Sequence, residues 1–439
     1  LINIFLKEIH VNSVQFIDKV EGNEMKVTGI IAEYNPFHNG HLYHLTRARE
    51  KTGAAAVICV MSGNFMQRGE PAIVDKWARA EMALANGADL VLELPALYAT
   101  RSAYWFARGG IETLYRTGVV THLSFGVETH EPDMFLKTAR LLVQETPEFR
   151  SALKRALKKG HSFPKARSLA LAGEFMESAV WNKPNNILAL TYIQVLQEMK
   201  IPLEPVPVTR KGAGYEETQL APGRLPSATA IRHRIINSGD GPLHVTAGME
   251  EFLPQTSIKI LCREFEKGRG PVSREDMDRQ VMTLLRRSSE SELLKIVDLT
   301  EGLENRIVKT AQMSVGISDF LDKLKTKRYT YTRLQRFLVH LLLNYTKDKE
   351  SVLKGGPPYL RILGFTSTGR KLIKKIKETS MLPVITKAAH CRKFSASGET
   401  FSVFWETDLL AASLYSLLYP AAACRHGNAD YFRAPVNLS

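Results

Sequence analysis

Hydrophobic and polar positions come in regular blocks over residues 26–128: a short apolar run, an amphipathic helical stretch, a glycine, and then the next apolar run. Val27–Glu33 (VTGIIAE) reads as a buried strand, 40–50 as a helix, Gly53 as its left-handed cap, and Ala54–Met61 as the following strand. The cycle repeats as a helix over 77–85, Gly87 and a strand over 88–94, then a helix over 107–116, Gly118 and a strand over 119–125. Near-continuous apolar strands separated by helices require a parallel sheet covered on both faces. The pattern therefore predicts a doubly wound α/β domain, whose ligands bind in the loops beyond the strand ends, here those starting at Tyr34, Ser62, Pro95 and Gly126.

The Pro-rich stretch 201–207 predicts a further short strand, and 228–237 a helix that closes this domain near residue 242. From 243 to 360 strands thin out and basic amphipathic helices dominate, over 289–297, 304–315, 318–326 and 332–345, which predicts a mainly α-helical second domain. Residues 361–439 mix Gly, Thr and short apolar runs and read as a small α/β region. Residues 1–24 scatter acids among apolars without the layout of a signal peptide, and read as an extension ahead of a fold that starts at Met25.

Charge changes the picture. Lys and Arg number 59 against 45 Asp and Glu, a formal +14 over 439 residues, and such an excess attracts polyanions, nucleic acid first among them. The four cysteines, Cys59, Cys262, Cys391 and Cys424, form no CxxC pair, which argues against a disulfide framework or zinc knuckle and for a reducing, cytoplasmic setting. Apolar runs such as 409–418 are too short to span a bilayer, so no membrane anchor is expected, nor does the chain imply a stable protein partner or a protein-held metal.

The candidate chemistry lies where the first strand hands over to the first helix, in Glu33-Tyr34-Asn35-Pro36-Phe37-His38-Asn39-Gly40-His41-Leu42. Two imidazoles three residues apart on a helix's opening turn share a face with unpaired backbone N–H groups and the positive end of the helix dipole, and Gly40 lets a nucleotide approach the backbone. Attack on an α-phosphate develops negative charge there, which His38 and His41 are suited to stabilise as donors. A plain polar helix cap is the weaker alternative. Farther along, Lys323 to Arg336 interleaves six cations with two tyrosines, suiting phosphates and splayed bases, with a solvated helix face and buried tyrosines as the alternative. Arg370–Lys377 is a second basic helix that fits RNA backbone or solvent equally.

The string GIIAEYNPFHNGHLYHL resembles the HxGH signature of the nucleotidylyltransferase superfamily, and more narrowly the bacterial tRNA(Met) cytidine acetate ligase family. SGNFMQRGEPA at 62–72, DKWAR at 75–79 and GADLVLELP at 87–95 resemble that family too, and the likeness runs from about Met25 to at least Gly369. It implies a HUP-like nucleotidyltransferase domain with His38 and His41 catalytic, and ATP held by Ile31, Ala32, Glu33, Tyr34, Asn35, Pro36, Phe37, His38, Asn39, Gly40, His41, Leu42, Tyr43 and His44. Ser227-Ala228-Thr229-Ala230-Ile231-Arg232 resembles the superfamily's second phosphate motif, which adds Ser227, Thr229 and Arg232. Gly126, one or other of Asn185 and Asn186, and Arg210 look like further ATP contacts of the family. The helical domain would bind tRNA through Lys325, Lys327, Arg328, Tyr329, Tyr331, Arg333 and Arg336. The implied reaction adenylates acetate with ATP, accompanied by Mg2+, and acetylates N4 of the wobble cytidine of elongator tRNA(Met). The rivals are an adenylyl- or cytidylyltransferase of cofactor synthesis and a non-catalytic nucleotide-sensing RNA-binding protein.

Overall fold

The computed structural model describes residues 25–439 apart from 129–130, 132–133, 135–136, 139–145, 162, 173–182, 211–226, 238–247, 300–301, 327–328, 390 and 392–397. The expected extension 1–24, Lys327 and Arg328 thus lie outside the described residues. Five parallel strands carry the first unit: β1 (Val27–Ala32), β2 (Ala56–Ser62), β3 (Leu90–Leu94), β4 (His122–Val127) and β5 (Glu204–Thr209). Their spatial order is β5-β4-β1-β2-β3, so the direction of winding reverses between β1 and β4, the crevice where doubly wound sheets bind ligands.

The intervening helices are α1 (Asn39–Thr52), α2 (Lys76–Ala85), α3 (Ala103–Tyr115) and α4 (Pro184–Glu198). Strand periodicity divides the core between the two faces. In β2, Ala56, Ile58 and Val60 join Phe106, Ile111 and Leu114 of α3 and Tyr192 and Ile193 of α4, while Val57, Cys59 and Met61 join Leu45 of α1 and Ala80 and Met82 of α2. The expected glycine punctuation is present: Gly53 caps α1 at φ 63°, and Gly87 and Gly118 also take positive φ.

Helix α5 (Ala228–Asn237) has the bounds expected from sequence, and α6 (Gln255–Glu266) packs on α2. A separate apolar core then gathers α7 (Asp278–Arg287), α8 (Glu304–Gln312), α9 (Ile317–Leu324) and α10 (Tyr331–Leu342). The loop 62–72 binds the two units: Phe65, Met66 and Ala72 sit in the helical core, and a Cβ on Gly69 (φ 81°) would meet the backbone N of Arg336 at 2.4 Å.

The sequence sets 361–439 apart as a small α/β region, but its strands extend the main sheet. β6 (Leu360–Thr366) pairs antiparallel with β3, and β7 (Val384–Ile385) and β8 (Val436–Leu438) pair parallel with β6. Helices α11 (Ser367–Thr379) and α12 (Glu399–Ser416) complete the chain's packing on this side. No helix among the described residues is long and apolar enough to cross a membrane.

Candidate active site

At the end of β1 the backbone turns sharply into α1. Tyr34 takes φ 48°, a left-handed conformation uncommon for a residue with a side chain and characteristic of functional turns. Its ring lies 4.9 Å from that of His41, and its hydroxyl is 3.4 Å from Cys59 Sγ on β2, so a packed aromatic backs the histidine. Asn35 Oδ1 accepts from Ile73 N at 2.8 Å, whereas its buried Nδ2 has no partner among the described residues.

His38 is the N-cap of α1. Its Nδ1 accepts from Gly40 N at 3.0 Å, and its own N–H donates to His41 Nδ1 at 3.3 Å. Both Nδ1 atoms act as acceptors, so each neutral ring carries its proton on Nε2. The rings stack at 3.7 Å, and a Cβ on Gly40 would lie 2.7 Å from His38 Cε1, so glycine keeps this pair together. Burial pushes His38 down to about 3, with Arg210 and Arg232 adding to it; burial, then His38 and Arg210, holds His41 well below the usual imidazole range. His44, pushed to about 4 by burial and then Arg210, has Nε2 3.0 Å from Ser124 Oγ on β4. All three imidazoles are neutral at pH 7.

Two arginines flank them. Arg232, one turn into α5, donates to Asn35 O at 3.0 Å and to Glu70 Oε2 at 3.1 Å, and it lies 3.5 Å from Thr229 Oγ1. Ser227 Oγ accepts from Ala230 N at 3.0 Å and so caps α5. Arg210 follows β5, donates to Asn185 Oδ1 at 3.4 Å, and packs its stem 3.2 Å from the position a Cβ on Gly126 would take. The two asparagines part company: Asn185 faces the cleft and donates to Glu128 Oε1 at 2.6 Å, while fully buried Asn186 accepts from Glu128 N at 2.7 Å beneath it.

These groups surround a cleft of about 660 Å³, in the size range of small-molecule and cofactor sites. Of residues 31–44, all but Pro36, Phe37, Asn39 and Leu42 reach its wall, joined by Gly126, Asn185, Arg210, Ser227 and Arg232. Phe37 is fully buried, and Asn39 fastens α1 to the turn before α6 by donating to Glu251 O and Phe252 O at 2.8 and 3.0 Å. Asn186 and Thr229 also stand behind the wall.

The basic segment divides. Arg333 and Arg336 of α10 line the cleft mouth, held by Asp298: Arg333 donates to its carbonyl at 2.8 Å and Arg336 to its Oδ2 at 3.3 Å. Lys325 is exposed and apart from the cleft. Tyr329 is buried with the Arg333 guanidinium 5.3 Å over its ring, and Arg274 covers Tyr331 at 5.7 Å while donating to its hydroxyl at 3.1 Å. Arginines thus occupy a face of each ring that the sequence reading offered to bases.

Sequence reasoning missed three participants. Gln67 and Arg68 line the cleft, and Gln67 N donates to Glu33 Oε1 at 2.6 Å. Arg79, fully buried on α2, donates to Glu33 O at 2.6 Å, Ser62 O at 3.1 Å and Gly63 O, tying the end of β1 to the end of β2. The available signal was an arginine three residues after Lys76 on a mostly apolar helix.

The chain matches the HIGH Nucleotidyl Transferase family model over residues 25–430. It is 41% identical to the tRNA(Met) cytidine acetate ligase of Thermosipho melanesiensis, covering 94% of this chain and 99% of that one, and 40% identical to that of Halothermothrix orenii, covering 93% and 98%. The chain belongs to the tRNA(Met) cytidine acetate ligase family. Among solved structures it resembles Thermotoga maritima TmcAL bound with alpha-thio ATP, at TM-score 0.86, 37% identity and coverage of 94% and 100%, and apo TmcAL at TM-score 0.89 and 38% identity. The family assignment and the doubly wound fold read from the sequence therefore hold.

Proposed function

We propose that this chain is an ATP-dependent ligase that activates acetate as acetyl-adenylate and acetylates N4 of the wobble cytidine of elongator tRNA(Met), releasing AMP and pyrophosphate. The observation that carries the reading is the pair of Nε2–H donors fixed by backbone hydrogen bonds at a helix N-terminus, inside a cleft flanked by Arg210 and Arg232. An acetate oxygen attacks the α-phosphorus, and the bond to the bridging oxygen breaks as pyrophosphate leaves. His38 and His41 donate to the oxygens on which charge accumulates, and Arg232 and Arg210 neutralise the polyphosphate. Gly126 and Asn185 bound the opposite wall, where the nucleoside would lie.

In the second step the cytidine amine attacks the acetyl carbonyl, the acyl–oxygen bond to AMP breaks, and the amine loses a proton. No covalent enzyme intermediate is required, because the adenylate already activates the carboxylate. Magnesium would accompany the nucleotide, with phosphate oxygens and water in its shell. On this reading residues 25–242 hold ATP, and 243–360 hold the tRNA beside the cleft through Arg333 and Arg336. The relatives' names favour this over cofactor synthesis, as does a helical core built against the cleft mouth.

The test is acetate-dependent exchange of labelled pyrophosphate into ATP without RNA, together with incorporation of labelled acetate into elongator tRNA(Met), another tRNA, or no RNA. Exchange plus label in the elongator tRNA alone is expected. Absence of any acetate-dependent exchange sinks the adenylation step.

A further inference from the structure

A second groove, of about 840 Å³, opens in the helical unit away from the residues discussed above. Leu284, Leu341, Leu342 and Leu414 line it with apolar surface, and Arg279, Arg287 and Lys295 stand exposed around it against the single acid Glu292. After hydrogen bonding, Arg287 and Lys295 help hold the Glu292 carboxyl below the usual carboxylate range, and none of the three cationic heads comes within ion-pair distance of a described carboxylate. In the wall, Gln280 Oε1 is buried without a hydrogen-bond partner among the described residues. An apolar bed and a cationic rim are the chemistry that receives an unstacked nucleobase and its phosphates.

Helix α10 connects this groove to the nucleotide cleft. Arg333 faces the cleft and Leu341 the groove, eight residues apart, which is about 12 Å along the axis and roughly a quarter-turn around it. One RNA strand can reach both openings.

We propose that the groove holds an unstacked nucleotide of the same RNA whose cytidine enters the cleft, a few nucleotides from the reacting base. The proposal rests on the RNA-ligase reading above, so the experiment separates the two. With the full chain and elongator tRNA(Met), three quantities are measured for the wild type, the double variant Arg287→Glu/Lys295→Glu and the single variant Leu410→Trp: tRNA Kd by filter binding, KM for tRNA in acetyl transfer, and tRNA-free acetate-dependent pyrophosphate exchange. Leu410 is 37% exposed and lines the groove, so a tryptophan there fills space without changing charge. Charge reversal is expected to raise Kd and KM tenfold or more and to flatten the salt dependence of binding. Leu410→Trp is expected to raise both several-fold, with exchange unchanged in each variant. Unchanged Kd and KM in Leu410→Trp overturns the nucleotide pocket, including the case in which only charge reversal responds. Missing exchange in the wild type overturns the ligase reading, while filter binding still decides the groove.

Discussion

In the proposed reaction the paired histidines derive their chemistry from two backbone N–H groups. Because Gly40 N and His38 N donate to the Nδ1 atoms, the Nε2–H donors are set before any ligand arrives, and reorganisation at the moment of reaction is small. Removing one such donor costs about 10²–10³ in rate. His41→Ala is accordingly expected to lower acetate-dependent pyrophosphate exchange by about that factor while the protein stays folded, as circular dichroism would report. The same burial sets a pH dependence. His38 at about 3 and fully buried His340 at about 4 both lie below the 6.5 of an ordinary imidazole. The unfolded chain therefore binds their protons first, and stability falls as pH drops from about 6.5 toward 4, by about 1.4 kcal/mol per pH unit for each ring. Urea titrations across that range are expected to show the loss, and a midpoint independent of pH there would contradict it. This level of detail was half legible in sequence. His38-x-Gly40-His41 announces itself, whereas the split between Asn185 and Asn186 depends on which of them Glu128 draws toward the cleft.

At the scale of elements, the site depends on how strand ends are tied together. Arg79 makes no ion pair with a carboxylate among the described residues; it donates to the carbonyl of Glu33 after β1 and to those of Ser62 and Gly63 at the end of β2. Arg79→Met is expected to leave those carbonyls buried and unmet, at roughly 1–3 kcal/mol each, and to cut exchange activity because Glu33 to His38 lose their anchor. Arg79→Lys, which keeps the charge but cannot span three carbonyls, should recover only part of both. Activity undiminished in the methionine variant would show that the turn holds its shape without the anchor. Loop 62–72 ties in the other direction. A methyl on Gly69 meets the α10 backbone at 2.4 Å and its φ of 81° disfavours any side chain, so Gly69→Ala should separate α10 from the cleft. A rise in KM for tRNA exceeding the loss of exchange activity is the expected signature. The elements themselves were legible, because period-2 and period-3.6 patterns dictate them and Gly53, Gly87 and Gly118 punctuate them. Their mutual anchoring was not, since a buried arginine and a glycine against a distant helix leave no periodic trace.

For the molecule as a whole, the main surprise is that the chain's last eighty residues complete its first sheet. Sequence order suggests an appendix because a strand pairing with β3 from 270 residues away carries no local signal, and β6 alone is as apolar as any short run. Burial locks the arrangement electrostatically: Lys76 of α2 contacts Glu93 Oε1 of β3 at 2.8 Å and Asp430 at 3.0 Å, and Arg361 of β6 contacts Asp430 at 3.0 Å and Glu93 at 3.3 Å. Two cations thus balance two carboxylates with all four side chains buried. Breaking such a set costs more than forming it gains, because the survivors are left charged in a medium that cannot solvate them. Asp430→Ala is expected to destabilise the chain by about 3–5 kcal/mol in urea denaturation. Truncation after residue 360 goes further: it strips β6 and β8 from the sheet, exposes the open edge of β3, and strands Lys76 and Glu93 together without Arg361. That fragment retains every ATP-cleft residue named above, so if the first unit were self-sufficient it would unfold cooperatively and bind ATP. The shared sheet predicts the opposite, loss of both cooperative unfolding and ATP binding, and a soluble, ATP-binding fragment would mean that the sheet is closed at β3 rather than at β6.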